Sequence, residues 1–351
     1  MMTFRQFAGG LEAIRTTAAW YLADLGEARG KQELFTRQSP QKLRALREHA
    51  LIESAVSSNR IEGVVVEQAR VGTLVFGRPV LRDRDEEELR GYRDALKLIH
   101  ERGAELPVAE ETVLRLHRLV RGGIGDAGCY KDRDSDIIET FPDGRRRVRF
   151  RTVPAAQTPR AMAELVDGWS GCLQERWAPP LLALAAFNLD FLCIHPFRDG
   201  NGRVSRLLLL LQCYHLGYEV GRYISLERLI ERDKERYYET LEQSSRRWRD
   251  GKHDPWPYIT YLLYTLKSAY REFEERLGEL ATPRGAKTQM VIDAIREAPV
   301  TFRASEIRSA CPAVSADLIR RTLRTLREAG EVECLRTGRG ARWRKTGGQG
   351  N

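Results

Sequence analysis

Apolar residues recur at helical spacing along most of the chain up to about residue 281. In the segment 41–61, Leu43, Leu46, Ala50 and Val56 follow this spacing, which predicts an amphipathic helix that Gly63 would end. Further helices are predicted over residues 86–102, 110–120, 158–176, 181–194 and 203–215. The pattern therefore predicts a mainly α fold.

One stretch departs from this helical pattern. Between Ser135 and Val153, the short runs DIIET and VRFRTV flank the tetrapeptide Phe141-Pro142-Asp143-Gly144. Because Pro, Asp and Gly favour turns and the flanking residues favour strands, the stretch predicts a β-hairpin inside a helical domain. A hairpin in that setting usually covers a neighbouring surface.

The pattern changes again after the Pro- and Gly-containing joint 282–285. Helices are predicted over 288–297, 304–310 and 315–329, followed by the strand-like VECLRT, a turn at Gly338-Arg339-Gly340 and the strand-like ARWRK. Three helices followed by a two-stranded wing are typical of a winged helix-turn-helix. We therefore predict an N-terminal helical region over 1–106, a central helical domain over 107–281 and a winged helix domain over 285–346.

Composition narrows the class of protein. The 351 residues are 42% hydrophobic and 30% charged, which suits globular domains. No apolar run reaches the roughly 20 residues of a spanning helix, since Asn188 and Asp190 interrupt the most apolar stretch. The N-terminus lacks the apolar core of a signal peptide, and the six cysteines show neither CxxC nor metal-ligand spacing. We expect a cytoplasmic protein with reduced thiols, no zinc site and no membrane partner.

The net charge of +9 is unevenly distributed. Residues 284–351 carry 14 Lys and Arg against 7 Asp and Glu, whereas residues 1–283 carry 44 against 42. The excess positive charge therefore belongs mainly to the predicted winged helix domain.

The residues that carry chemistry concentrate in one string, HPFRDGNGRVSR at 195–206. His195 at a helix end can serve as a general base, and the free amides of 200–202 at the start of the next helix suit an anion. Arg203 and Arg206 share a helix face and can hold phosphate oxygens, while Asp199 is a hard ligand suited to Mg²⁺. Each part alone is common in loops, but together they predict a phosphoryl- or nucleotidyl-transfer site.

The whole string resembles the active-site motif of Fic-domain proteins, HPFx(D/E)GNGRxxR, with every fixed position present. Leu116-His117, Gly128 before Tyr130, and the string VPAAQTPRAM fit the wider family pattern, and the resemblance covers roughly residues 110–250. It implies a helical Fic core with a hairpin flap over 107–281. It also implies transfer of AMP from ATP to a Ser, Thr or Tyr hydroxyl of a target protein.

The resemblance also implies a role for each residue of the motif. His195 would deprotonate the incoming hydroxyl, and Asp199 would hold Mg²⁺ on the phosphates. Gly200, Asn201 and Gly202 would bind the α-phosphate, and Arg203 and Arg206 the outer phosphates that leave as pyrophosphate. Tyr237 and Tyr238 resemble the adenine-side pair of the family, although either residue could instead be a core aromatic.

The predicted hairpin corresponds to the flap of Fic proteins, where a target segment can pair with a strand edge. Ile137 and Ile138 would contact the target there. Lys131 stands where an arginine is frequent, and Arg145, Arg146, Arg147 and Arg149 crowd the second half of the hairpin. This charge would favour an acidic target loop, or it would simply form a solvated hairpin face.

A second motif suggests regulation. The segment 57–63 would ordinarily be a helix end closed by Gly63. Beside the Fic motif, Ser58-x-x-x-Glu62-Gly63 instead resembles the inhibitory (S/T)xxxE(G/N) motif of one Fic class, known as class II, in which the glutamate pairs with the arginine equivalent to Arg206. Glu62 would then restrain the activity, or it would orient water for removal of AMP, as in some relatives.

Several alternatives remain open from the sequence. Arg320, Arg321, Arg324 and Arg327 on the predicted recognition helix suit contacts to duplex DNA, although winged helices also bind proteins or dimerise. The Fic-like domain could be a nucleotide sensor in a transcriptional regulator rather than an enzyme. It could also use UMP, phosphocholine or phosphate donors, and the chain could act as a homodimer.

Overall fold

The computed structural model describes residues 2–8, 10–36, 40–123, 125–140, 143–281, 286–311, 314–336 and 341–346. The chain forms two compact units, Met1–Glu274 and Glu275–Asn351. Part of the predicted hairpin turn (Phe141 and Pro142), the joint 282–285 and the wing turn 338–340 lie outside the described residues.

Helices dominate the first unit, as predicted. They are α1 (Met2–Phe7), α2 (Thr16–Thr36), α3 (Pro40–Ile61), α4 (Gln68–Phe76), α5 (Arg84–Arg102), α6 (Glu110–Arg121), α7 (Thr158–Gln174), α8 (Pro180–Ile194), α9 (Asn201–His215), α10 (Leu226–Arg232), α11 (Lys234–Ser245) and most of α12 (Trp256–Ala281), whose last residues belong to the second unit. The mainly α prediction is therefore confirmed. Among the described residues, none of the helices combines the length and apolar character needed to cross a bilayer.

The central helix of this unit is α8, in which every residue from Leu181 to Ile194 is buried. A helix that is apolar all round belongs in the middle of a core, and α7, α9 and α1 pack around it. Its two polar side chains are hydrogen-bonded, as burial requires. Asn188 donates to the Ser205 carbonyl at 2.8 Å, and Asp190 accepts from the Thr3 hydroxyl at 2.5 Å and from the Trp248 indole N–H at 2.5 Å. These bonds tie α8 to α9, α1 and the segment after α11, and the turn 195–200 lies between α8 and α9.

The predicted hairpin is confirmed as two antiparallel strands, β1 (Ile137–Thr140) and β2 (Arg146–Phe150). Ile138 faces Val148 across the pair, and the register shifts between Ile137 and Ile138. Ile138 and Val148 are about half exposed. The hairpin therefore presents apolar side chains to solvent, which is unusual for a surface that covers only its own core.

The second unit contains α13 (Ala286–Glu297), β3 (Thr301–Arg303), α14 (Ala304–Ala310), α15 (Ala316–Glu328), β4 (Val332–Arg336) and β5 (Arg342–Lys345). The three strands form an antiparallel sheet in the order β3-β5-β4. Phe302 and Trp343 face each other between β3 and β5, and both pack on the apolar core of the unit. Three residues of β3 were not predicted, because a strand this short leaves too few positions to show alternation.

Candidate active site

His195 lies at the C-terminal end of α8, where the chain turns sharply towards α9. Its backbone is left-handed, with φ +54° and ψ +61°, and its N–H donates to the Phe191 carbonyl at 2.9 Å. Glycine or asparagine usually occupies such a position, because a larger side chain is strained there. The turn directs the imidazole into a cavity of about 230 Å³.

The imidazole of His195 is neutral near pH 7. Burial, with the positive charge of Lys131 adding to it, lowers the pKa of His195 to about 4, against the opposing effects of the Leu192 carbonyl, which the imidazole approaches as a hydrogen-bond partner, and of the Glu62 and Asp199 charges. A neutral imidazole can accept a proton, as a general base must.

The loop after His195 is held by Asn201. The Asn201 Oδ1 atom accepts from the Phe197 N–H at 2.9 Å, and its Nδ2 donates to the Phe197 carbonyl at 2.8 Å. Each polar group of this buried side chain therefore makes one bond inside the loop, and Asn201 shapes the turn. Its contact with the α-phosphate stays a prediction.

His117 of α6 supports the same loop from below. Its ring stacks on Phe197 with centroids 3.7 Å apart, and its Nδ1 accepts from the Gly128 N–H at 3.0 Å. The proton must therefore be on Nε2, which lies 3.1 Å from the Asp199 carbonyl and donates to it. Burial lowers the pKa of His117 to about 4, so it remains a neutral structural support.

The N-terminus of α9 faces the carboxylate of Glu62. Gly200 precedes the helix with φ +82°, and Gly202 lies in its first turn. A Cβ atom at Gly202 would lie only 2.2 Å from the Glu62 Oε1 atom. Because free amides and the helix dipole favour negative charge there, the carboxylate of Glu62 lies where the sequence predicts a phosphate.

Arg206 binds the end of α3 through three hydrogen bonds. Its Nη2 donates to Glu62 Oε1 at 2.8 Å and to the Ser58 carbonyl at 3.0 Å, and its Nε donates to Ser58 Oγ at 2.8 Å. Burial alone would lower the pKa of Arg206, but the Glu62 carboxylate more than offsets it, so the pKa lies above its ordinary value. Gly63 follows with φ +87°, as expected for a residue after a helix end.

Helix α3 is itself anchored to α10 and α11. The Ser54 hydroxyl donates to the buried Glu227 carboxylate at 2.7 Å, and Lys234 Nζ donates to the Ile61 carbonyl at 2.6 Å. Arg60 and Glu231 add a partly exposed ion pair at 3.2 Å. Glu62 is therefore presented to the cavity by a helix that is part of the core.

Arg203 does not reach the cavity. Its side chain is 1% exposed, and its Nη1 donates to Glu88 at 2.7 Å and to Asn59 Oδ1 at 3.3 Å. Glu88 is also buried, and it accepts hydrogen bonds from Arg84 at 2.8 Å and Arg121 at 3.4 Å. The contact of Arg203 with outer phosphates therefore stays a prediction that requires this pair to rearrange.

Asp199 is half-exposed at the mouth of the site. Burial would raise the pKa of Asp199, but the charges of Arg203 and Arg121 hold it below its ordinary value. Its Oδ2 lies 2.5 Å from Arg121 and 3.1 Å from Arg84. The carboxylate is therefore charged and already faces cationic groups.

A single charged carboxylate fits Mg²⁺ when substrate phosphates supply the other ligands, as is common for this ion. Within the described residues, no group of three or more His, Cys, Asp or Glu side chains could hold a metal by itself. Asp199 is thus a suitable ligand for a metal that arrives with a nucleotide, and Arg84 and Arg121 would have to release it.

Tyr237 and Tyr238 of α11 line the cavity together with Ile137 of the hairpin. Tyr237 is buried against Tyr258 and Tyr261, with ring centroids 6.1 and 5.9 Å away. Tyr238 is more accessible, and the Arg149 guanidinium lies 5.7 Å from its ring centroid. Ile138 points to solvent and is 49% exposed. One predicted flap residue therefore faces the cavity and the other faces outwards.

Lys131 joins the hairpin to the histidine loop. Its backbone N–H donates to the Pro196 carbonyl at 2.8 Å and its Nζ to the Ile194 carbonyl at 3.3 Å, so it contacts both neighbours of His195. Nζ also donates at 2.7 Å to Thr152, the second residue after β2. Burial lowers the pKa of Lys131 to about 8.

Sequence reasoning did not assign a role to Glu88 or Arg121. Both continue the buried stripe of their helices: Glu88 lies four residues before Tyr92, and Arg121 four residues after His117. A charged residue in register with an apolar stripe indicates a buried ion pair. That signal was present in the sequence, but not the identity of the partner.

Comparison with known proteins agrees with this geometry. Residues 107–213 match the Fic/DOC family. A Fic family protein from Desulfovibrio desulfuricans G20 is 22% identical with a TM-score of 0.60, over 97% of this chain and 99% of that one.

Two further solved structures are similar. A Fic domain containing signaling protein from Bacteroides thetaiotaomicron VPI-5482 is 22% identical with a TM-score of 0.59, over 73% of this chain and 98% of that one. Fic-1 from C. elegans is 19% identical with a TM-score of 0.55, over 74% of each chain. At these identities the structures establish a shared fold. The segment 107–213, which includes His195 and the glycine loop, is a Fic/DOC family domain.

Proposed function

We propose that the protein is an adenylyltransferase that transfers AMP from ATP to a Ser, Thr or Tyr hydroxyl of a target protein. The observation that carries this proposal is that His195, the N-terminus of α9 and the hairpin meet at one cavity. These three features supply a base, an anion site and a surface for an extended polypeptide. A nucleotide sensor would have no evident use for the neutral, positioned imidazole.

In this mechanism the target hydroxyl oxygen attacks the α-phosphorus of ATP. A new P–O bond forms, the bond between the α-phosphorus and the bridging oxygen breaks, and pyrophosphate leaves. Neutral His195 accepts the hydroxyl proton and later releases it to solvent. The first-turn amides of α9 stabilise the charge that develops on the α-phosphate, and Mg²⁺ held at Asp199 would neutralise phosphate charge when bound.

We further propose that Glu62 holds the enzyme inactive. Its carboxylate lies against the first turn of α9 and pairs with Arg206 at 2.8 Å. A triphosphate would have to share this space with a like charge, which raises its binding free energy. ATP can therefore adopt a productive position only after Glu62 moves.

Self-modification tests both proposals. Full-length wild-type protein, Glu62→Gly, Glu62→Gln and the double variant Glu62→Gly/His195→Ala are incubated with ATP labelled at the α-phosphate. We expect weak labelling of the wild type, at least about tenfold more for both Glu62 variants, and none for the double variant. Mass spectrometry should find an AMP adduct on a hydroxyl residue.

The other outcomes separate the alternatives. Equal labelling of wild type and Glu62→Gly would remove the inhibitory role. Labelling only with other donors would change the reaction, and no adduct with any donor would favour a nucleotide sensor. If wild type removes AMP from a pre-labelled protein and Glu62→Gly does not, Glu62 orients water for that removal.

A second function is proposed for the other unit, namely binding of duplex DNA by a winged helix. On α15, Ile319, Leu323 and Leu326 are buried. The cationic side chains on the exposed face of this helix are Arg320, Arg321, Arg324 and Arg327. A cationic helix face in the same unit as the basic strands β4 and β5 suits phosphate contacts. Cytoplasmic location and a homodimer remain predictions.

Binding to a fluorescent duplex at two salt concentrations tests this function. The logarithm of the binding constant should fall with the logarithm of the salt concentration, with a slope of about −0.9 per phosphate contact. Arg320→Glu/Arg324→Glu should weaken binding. Arg44→Glu, an exposed change in α3, is the matched control. No binding at low salt would remove the proposal and favour a protein-interaction module.

A further inference from the structure

A groove lined by arginines runs beside the hairpin, and we call it the basic groove. Its volume is about 490 Å³. The arginines that line it are Arg147, Arg149 and Arg151 from the hairpin side and Arg246, Arg247 and Arg249 from the segment after α11. Val148, Phe150 and Trp248 lie between them. The two sets of arginines are about 100 residues apart in the chain, and folding brings them together.

The positive charge of the basic groove exceeds the negative charge of its lining. Among the described residues that line it, Glu242 is the one carboxylate. Three guanidiniums share it: Arg246 at 3.4 Å, Arg149 at 3.5 Å and Arg147 at 3.8 Å. Like charges held this close repel one another, and an anion between them would relieve that repulsion.

Three of these arginines have side chains that are mostly exposed to solvent. The side chains of Arg246, Arg247 and Arg147 are 70%, 62% and 56% exposed. Arg249 uses its Nη2 to bind the Thr152 carbonyl at 2.7 Å, which ties the second set of arginines to the base of the hairpin. The groove is therefore both accessible and held in place.

The basic groove continues into the active-site cavity. Arg149, Phe150, Glu242 and Ser245 line both spaces. A chain lying along the groove would therefore lead to the cavity into which His195 points. A molecule that binds the arginines of the groove could therefore also place one of its groups in the active-site cavity.

The hairpin favours a polypeptide as the occupant. β2 pairs with β1 along one edge, and in the described parts of the chain no other strand pairs with β2. Its other edge offers backbone N–H and C=O groups that an extended peptide can match. The exposed Val148 adds an apolar contact that a nucleic acid backbone would not use.

We infer that the basic groove binds an acidic segment of the target protein, rich in Asp and Glu, adjacent to the hydroxyl residue that receives AMP. This inference rests on the proposed adenylyltransferase function and adds the class of target. Carboxylates of the segment would pair with the exposed guanidiniums, while its backbone would extend the hairpin at β2. The active site would then modify hydroxyl residues that are flanked by acidic sequence.

Binding is measured first, because it does not depend on catalysis. Fluorescence anisotropy of full-length protein uses a labelled peptide with a central threonine flanked by glutamates, and a counterpart with glutamines. We expect the glutamate peptide to bind at least about tenfold more tightly at low salt, with the difference shrinking at high salt. Arg246→Glu/Arg247→Glu should lose most of this preference.

Arg44→Glu/Arg102→Glu is the matched control, because it reverses the same number of charges. Like Arg246, Arg44 and Arg102 are exposed and each pairs with a nearby glutamate, but both lie outside the groove and the catalytic site. This variant should bind the glutamate peptide as wild type does. Equal binding of both peptides, or an unchanged preference in the Arg246→Glu/Arg247→Glu protein, would overturn the inference.

Catalysis is measured separately. In the Glu62→Gly background, AMP transfer to the glutamate peptide should exceed transfer to the glutamine peptide about tenfold in kcat/KM. Self-labelling without any peptide preference would overturn the inference and leave the proposed function standing. Absence of self-labelling would instead count against the proposed function. Tight binding of single-stranded DNA that needs Arg246 and Arg247, with no peptide preference, would assign the groove to nucleic acid.

Discussion

Glu62 Oε1 lies 2.8 Å from Arg206 Nη2 and, on its other side, against the first turn of α9 at Gly202. The carboxylate is therefore paired with a guanidinium and lies close to a helix N-terminus, where negative charge is favoured. A phosphate bound at this helix N-terminus would compete with it for the same space. The position of Glu62 can therefore be tested by substituting its neighbours as well as by measuring activity.

Gly202 should be coupled energetically to Glu62. A methyl group at Gly202 would meet the carboxylate at 2.2 Å, so Gly202→Ala should displace Glu62 and destabilise the wild type. In Glu62→Gly that clash is gone and the Arg206 Nη1 atom, 3.1 Å from the added carbon, is the nearest remaining neighbour, so Gly202→Ala should cost far less stability than in the wild type. Urea unfolding of the four proteins measures the coupling, expected at about 1 kcal/mol or more.

Gly26 supplies the control for this cycle. It lies within α2, and a Cβ atom there would meet no other atom within 4 Å. Gly26→Ala should therefore stabilise both backgrounds equally. Additive effects of Gly202→Ala and Glu62→Gly would contradict the close approach of the two residues.

The protonation of His195 should be visible by NMR. Because burial and Lys131 lower its pKa to about 4, the imidazole is neutral above that value and charges only as the pH falls through it. AMP transfer by Glu62→Gly should stay level down to about pH 5 and then decline as His195 becomes protonated. Since the Glu62 charge raises the pKa, its removal should shift the His195 titration to lower pH.

The measurement uses ring-labelled histidine, with His195→Gln to assign the signal. A midpoint near the ordinary 6.5 in the wild type would show that the imidazole is more open to water than the structure has it.

Lys131 should act as a positioning residue for His195. Lys131→Met removes the bonds to Thr152 and Ile194 and a positive charge near the imidazole. We expect kcat for AMP transfer in the Glu62→Gly background to fall about tenfold or more, the KM for ATP to change little, and the His195 titration to move to higher pH. Lys131→Arg keeps the charge and should restore most of the activity. An unchanged titration in Lys131→Met would indicate a purely structural role.

Glu88 should be far more important to stability than its neighbour Glu87. Glu88→Gln leaves Arg203, which is 1% exposed, with Asp199 at 3.6 Å as its remaining carboxylate partner. Removing one partner of a buried ion pair costs about 3–5 kcal/mol, and we expect a loss near the lower end of that range. Glu87 is exposed on α5, so Glu87→Gln should change the free energy of unfolding by less than about 0.5 kcal/mol. Thermal or urea unfolding distinguishes them, and similar values for both would refute the buried network.

The sequence predicts those helices and turns that depend on residues close together in the chain. The helical spacing around Leu43 and Leu46 anticipates α3, and the string from His195 to Arg206 anticipates a helix, a turn and a second helix. Such features arise from local periodicity and backbone chemistry, which a single sequence displays directly.

Contacts between distant elements were harder to predict. The two bonds between the Asn201 amide and the backbone of Phe197 become visible only in the folded loop. The partner of Glu88 depends on how α5 docks against α9, and the basic groove depends on Arg246 meeting Arg147. These pairings follow from tertiary packing, and local patterns do not encode them.

The anchoring of α3 by Ser54 and Lys234 has a consequence for dosage. If Glu62 restrains the activity as proposed, its carboxylate belongs to the same folded unit as His195 and needs no second molecule to reach the site, so within a monomer the restraint does not depend on protein concentration. An activating signal must supply free energy of its own; shifting a population from one active molecule in a hundred to nearly all of them takes about 5.5 kcal/mol of preferential binding. For a monomer, overexpression alone would therefore raise activity only in proportion to protein, and a steeper rise would indicate that copies of the chain associate.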